Sequence, residues 1–281
     1  MNKLPRVEFS SRSCLTYIMK RIFFFFVLLC LLWTLSTVTC FGQNRTSQEN
    51  YQKLLQDYRE YQGLIEPFNT KKSRHLTYGT VETQSEFLEE SKNLISAEIK
   101  AITSYTAFVK SYLAEATQIL NYRENYLYVK LDDELAFLET AKGRVESLSS
   151  LSGAGELMTD LATHYKKIVK IGYQVKAMLG VESVKKVFEN VKVDKDKLNN
   201  FFSENKASSN ELSAAKEKFS DLDKEINTIA SLISQTEESQ KKFESGDPPG
   251  LAKEIWGVLT QILVKINRVI DGYKNIVSSL K

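Results

Sequence analysis

The chain has 281 residues with 38 Lys+Arg against 35 Asp+Glu, a formal charge of +3, and three cysteines. Residues 1–42 hold five of those bases, one acid and all three cysteines, which leaves 33 bases, 34 acids and no thiol for the rest. A near-neutral, cysteine-free body argues against nucleic-acid binding, a disulfide framework and thiolate-ligated metal, so it must be held by packing.

Residues 1–21 are polar and basic, with Lys3, Arg6, Arg12, Lys20 and Arg21. They precede Ile22 to Phe41, IFFFFVLLCLLWTLSTVTCF, which has no charged residue. A basic segment followed by an apolar run matches a secretory signal peptide. The same run, at about 20 residues and 1.5 Å per residue, also reaches across a ~30 Å hydrocarbon core as an N-terminal membrane anchor. Thr34, Ser36, Thr37 and Thr39 dilute its second half, which favours the cleaved signal. A lipoprotein modified at Cys40 is the third reading, with a poor lipobox. In each case the bases stay inside and residues 43–281 are expected to be exported.

The exported part reads as helix. Its prolines are only Pro67, Pro248 and Pro249, and long stretches lack glycine too. A polar linker, 43–48, carries the sequon Asn44-Arg45-Thr46. Tyr51, Leu54, Leu55, Tyr58, Tyr61 and Ile65 predict a first helix over 47–64 that ends near Gly63 and Pro67. A loop is expected over 68–79. Leu88, Ile95, Ile99, Ile102, Val109 and Leu113 carry a heptad-like seam through a helix over 81–120. After a turn near 121–128, Leu131, Leu135, Leu138, Val145 and Leu148 mark a helix over 130–151. Ser152 to Gly155 reads as a loop before a helix to Leu179, with Gly180 a bend or stop. Residues 181–205 continue helical. Ser208 and Glu211 form a capping box for a helix over 209–243, seamed by Leu212, Ala215, Phe219, Leu222, Ile226, Ile229 and Ile233. Gly246-Asp247-Pro248-Pro249-Gly250 is the strongest break. The last helix, 251–280, runs through Ile255, Val258, Ile262, Ile266, Val269, Tyr273 and Ile276.

Catalytic chemistry is thin. His75 and His164 have no second ligand at metal spacing, and no nucleophile elbow, phosphate loop or dinucleotide fingerprint occurs. The acidic runs Asp132-Asp133-Glu134 and Glu237-Glu238 should fan outward from a helix and not converge. No enzyme, no cofactor and no metal site is expected. The candidate binding features are a tyrosine strip, including Tyr51, Tyr58, Tyr105 and Tyr112, and the bases Lys71, Lys72 and Arg74 of the 68–79 loop. Core-edge packing of the rings and a solvated loop are the blander readings of both.

Several segments look familiar together: Tyr51-Gln52-Lys53 through Tyr58-Arg59-Glu60-Tyr61, Leu76-Thr77-Tyr78-Gly79-Thr80-Val81-Glu82-Thr83-Gln84 leading to Phe87-Leu88-Glu89, and Tyr112-Leu113. With Leu135-Ala136-Phe137-Leu138 and His164-Tyr165-Lys166, they resemble uncharacterised exported all-helical proteins of small-genome candidate-phylum bacteria. That resemblance implies an exported helical fold and supplies no activity or site residues.

The expected fold is therefore all-α: an elongated antiparallel bundle of about six helices with coiled-coil-like packing, preceded by an N-terminal hydrophobic targeting helix. A sub-boundary is expected near 180. The expected function is that of a non-enzymatic interaction or structural protein of the cell envelope, using a polar, tyrosine-rich face. The alternative is a membrane-active bundle that inserts its C-terminal helix. The partners expected are an envelope or extracellular protein and, through the N-terminal segment, a membrane. Self-association stays open, and nucleic acid is excluded by charge.

Overall fold

The structure, a computed structural model, describes residues 45–115, 122–204 and 210–279. The leader at 22–41, the linker sequon's Asn44 and the Ser208 half of the capping box lie outside the described residues. The described residues are all-helical with no strand. Six helices follow one another: α1 Arg45–Tyr78, α2 Val81–Glu115, α3 Tyr122–Glu146, α4 Leu151–Glu204, α5 Asn210–Lys241 and α6 Pro248–Ser279. Residues 46–281 form a compact unit of their own.

The 54-residue α4 is the spine, and at 1.5 Å per residue it is about 80 Å long. Its first half packs on α2 and α3, its second half on α5 and α6. Arg144 to Asp160 and Glu134 to His164 pairs run α3 antiparallel to α4. Lys185 to Glu237 and Lys195 to Asp223 do the same for α5. Lys265 to Glu225 and Ser239 to Glu254 set α6 antiparallel to α5. Short connections leave consecutive helices little choice but to fold back on one another.

Heptad-like seams make the cores. Ile95, Ile99, Ile102, Val109 and Leu113 of α2 are buried, as are Leu212, Ala215, Phe219, Ile226, Ile229 and Ile233 of α5. Helix α6 buries Ile255, Leu259, Ile262, Ile266, Val269 and Ile276. Among the described residues no helix is long and apolar enough to cross a membrane, and α6 carries Lys253, Glu254, Lys265, Arg268 and Asp271.

Glycine and proline misplace several boundaries in the sequence reading. Helix α1 does not stop at Gly63 and Pro67 but runs to Tyr78, so the expected 68–79 loop is helical. A mid-helix proline presses its ring on the carbonyl four residues back. Here that residue is Gly63, exposed and free of a Cβ, so its carbonyl can tilt to water. Phe68, buried against Phe87, then draws the helix onward. Ser152 to Gly155 is no loop either. It forms the first turn of α4, and Ser150 Oγ accepts the Gly153 N–H at 3.2 Å.

Gly180 neither bends nor stops α4. A Cβ there would lie 2.9 Å from Leu259 Cδ1 and 3.2 Å from Trp256 Cζ2, so this glycine is a contact point for α6. The turn expected at 121–128 is already helix from Tyr122. The 246–250 break is where expected, but both prolines join the first turn of α6, with the Gly250 N–H donated to Asp247 Oδ2 at 3.1 Å.

Candidate interaction surface at the tip of the first hairpin

Helices α1 and α2 form an antiparallel hairpin with an unusually polar seam. Among its described large apolar side chains α1 buries only Leu54 and Phe68. Between them sits Asp57, 2 % exposed, whose carboxylate takes Lys53 Nζ at 2.7 Å, Lys100 Nζ at 3.4 Å and the Ser104 hydroxyl. Burial pushes its carboxyl up, but hydrogen bonds from Lys53 and Ser104, with the Lys53 and Lys100 charges, hold it below the ordinary aspartate value. Lys100 also reaches Glu60 at 2.5 Å.

Nearer the turn, Glu86 of α2 receives Lys71 at 3.1 Å and Arg74 at 2.8 Å from α1. The Lys71 hydrogen bond is the largest effect on its carboxyl, and with the Arg74 and Lys71 charges it outweighs desolvation and holds the group below the ordinary glutamate value. His75 stacks on Phe87 with centroids 5.8 Å apart and closes the hairpin beneath the turn.

The turn itself is tightly specified. Gly79 takes φ +61°, and its N–H bonds the His75 carbonyl at 2.8 Å, a left-handed C-cap for α1. Thr80 caps α2: its Oγ1 accepts the Thr83 N–H at 3.2 Å, and Thr83 Oγ1 accepts the Thr80 N–H at 3.1 Å. On this rigid turn Leu76 is 74 %, Tyr78 68 % and Val81 84 % exposed. These are the three most exposed large apolar side chains among the described residues.

The tyrosine strip fares otherwise. Tyr105 is buried and belongs to the core, where its hydroxyl lies over Gly172 of α4, so it is no surface residue. Burial there drives its phenol far above the ordinary value. Tyr51 and Tyr112 are half-buried against Phe108, at 5.5 and 6.0 Å between centroids. Tyr58, also half-buried, accepts from Gln62 at 3.0 Å and lies beside Tyr61. The rings therefore line the hairpin and its junction and leave no continuous free strip. Lys71, Lys72 and Arg74 do come together, on the last two turns of α1.

One pair escaped the sequence reading. Glu134 does not fan outward with its neighbours: it is buried, and its Oε2 lies 2.6 Å from His164 Nδ1 of α4. Phe137 stacks flat on that imidazole at 3.4 Å. Thirty residues separate the partners, so no local spacing announces them. Among the described residues no group of three or more His, Cys, Asp or Glu is placed to hold a metal ion. No family model, curated protein or solved structure matches the chain.

Proposed function

We propose that this chain is a non-enzymatic interaction or structural protein of the cell envelope, exported behind its hydrophobic leader. It presents the α1–α2 tip to a partner. What carries the reading is the exposure of Leu76, Tyr78 and Val81 on a turn fixed by a left-handed glycine and a reciprocal threonine cap. Folding gains nothing from three large apolar groups in water, whereas a preordered apolar point gives contact area at little entropic cost.

The test is photo-crosslinking in the cells that make the protein. A photoreactive residue is placed in the full chain at Tyr78, and in a second version at Ser183, exposed on α4. The expected result is a defined adduct, with protein or lipid, from position 78 alone, abolished by Leu76→Ser with Val81→Ser. Equal adducts from both positions, or none from position 78, would overturn the reading.

A further inference from the structure

We propose that the α1–α2 tip docks on a phospholipid surface, with Leu76, Tyr78 and Val81 in the interfacial layer and Lys71, Lys72 and Arg74 at the level of the phosphates. The inference rests on the reading that the tip is the interaction surface, and it names what that surface meets.

Three observations favour a lipid layer. The first is shape. The apolar groups sit at the ends of two helices, on either side of Gly79 and Thr80, with no side chain packed over them. A convex point of this kind enters a deformable layer without needing a matching hollow. The second is order along the axis. Arg74 and Lys71 precede Tyr78 by four and seven residues, about 6 and 10 Å back along α1. That spacing matches the roughly 5–10 Å depth to which interfacial helices bury their apolar groups. Tyr78 and Val81 thus flank the turn, Leu76 lies just behind Tyr78, and the bases come last.

The third is charge. Residues 71–86 hold three bases, Lys71, Lys72 and Arg74, against Glu82 and Glu86. Glu86 is already matched by Lys71 and Arg74, both of which keep more than a third of their side-chain surface in solvent. The tip is mildly basic, so an anionic headgroup strengthens docking and is not its main source. A hollow in a protein would also accept the three apolar groups. It would not call for a set of bases behind them.

The body 46–281 is a compact unit with its own core and has no cysteine, so one cysteine can report on one place. Tyr78→Cys and, as a control, Ser183→Cys are labelled with an environment-sensitive fluorophore. Each is mixed with vesicles of phosphatidylcholine, or of phosphatidylcholine with phosphatidylglycerol. The position-78 probe should shift to the blue and brighten, more strongly with phosphatidylglycerol, while the position-183 probe stays unchanged. Leu76→Ser with Val81→Ser should cut vesicle flotation about tenfold or more, in line with two side chains lost from an apolar layer. Lys71→Gln, Lys72→Gln and Arg74→Gln together should weaken only the phosphatidylglycerol response. These substitutions are at the surface, and unchanged far-ultraviolet dichroism shows that they leave the fold intact.

A position-78 probe indifferent to both vesicles overturns the proposal, as does binding that survives the loss of Leu76 and Val81. If position 78 still captures a protein in cells, the tip remains the interaction surface and only its lipid occupant is refuted.

Discussion

Among the described glycines, Gly172 is the one where an added Cβ would come nearest another helix, and it gives the sharpest test of the packing. A Cβ built there would lie 2.3 Å from the Tyr105 hydroxyl, 3.3 Å from its Cζ and 3.7 Å from Val109 Cγ2. Tyr105 is buried, and its ring has no flexible end to swing aside. Two effects oppose each other in Gly172→Ala. Alanine in a helix interior gains about 1 kcal/mol over glycine, whereas overpacking a close-packed core costs about 1–3 kcal/mol. The clash should win, for a net loss of up to about 2 kcal/mol, or roughly 4–8 °C in a body of this size. Tyr105→Phe removes the atom that clashes and leaves the next at 3.3 Å, a tight contact relieved by a shift of a few tenths of an ångström, so in the double variant the alanine should destabilise far less. Gly257, with nothing within 4 Å of its virtual Cβ, is the control: Gly257→Ala should stabilise by about 1 kcal/mol. Urea unfolding followed by far-ultraviolet dichroism measures the wild type and the four variants. If Gly172→Ala stabilises as Gly257→Ala does, or if the cycle with Tyr105→Phe shows no coupling, then α2 and α4 do not meet as described.

Asp57→Asn should loosen α1 more than the spine, because Lys53, Lys100 and Ser104 all converge on that carboxylate. Amide exchange in α1 should rise severalfold while α4 is unmoved. The Asp57 carboxyl is held below its ordinary 3.8, so its stabilising contribution is complete above that pH and disappears as pH falls through the lower folded value. Wild-type α1 should therefore fray on acidification, and the variant should show no such step from this site. Lys176 lies over the Trp256 ring at 5.3 Å, and burial lowers its amine to about 8. Below that pH the folded protein carries a desolvated cation, so Lys176→Met should stabilise by about 1 kcal/mol at neutral pH. Between about 8 and 10.5 the folded amine loses its proton before the unfolded one, wild-type stability rises, and the gap in urea midpoints should close. Gly79→Ala forces φ +61° on a residue with a Cβ and should cost about 1 kcal/mol in thermal unfolding, although nothing lies within 4 Å.

Much of the fold was legible because burial follows a period. The steps of three and four from Ile95 to Leu113 and from Leu212 to Ile233 describe stripes that must leave water, and all but the half-buried Leu222 do so. The 246–250 break was legible because two prolines and an aspartate at a helix start have few alternatives. Boundaries argued from single glycines were less secure. Gly63, Gly153 and Gly180 all sit inside helices, and at Gly180 the missing Cβ serves the close approach of α6, not a turn. Charge placement on one helix also misled: Glu134 faces inward because His164, on another helix, is there to meet it. For the tip the signal lies inside the longer 68–79 loop that the sequence predicts. Gly79 beside Thr80 and Thr83 specifies a turn, and Leu76 and Val81 stand off the seam of either helix.

The sequence by itself determined that the body is helical, near-neutral and thiol-free, because composition and periodicity act locally and need no partner. Only the tertiary structure decided which tyrosines are core and which is surface. Tyr105 and Tyr78 look alike along the chain, but one meets Gly172 across an interface and the other stands largely in solvent. Burial of a given ring depends on what a distant segment brings to it, and that is settled only when the helices dock.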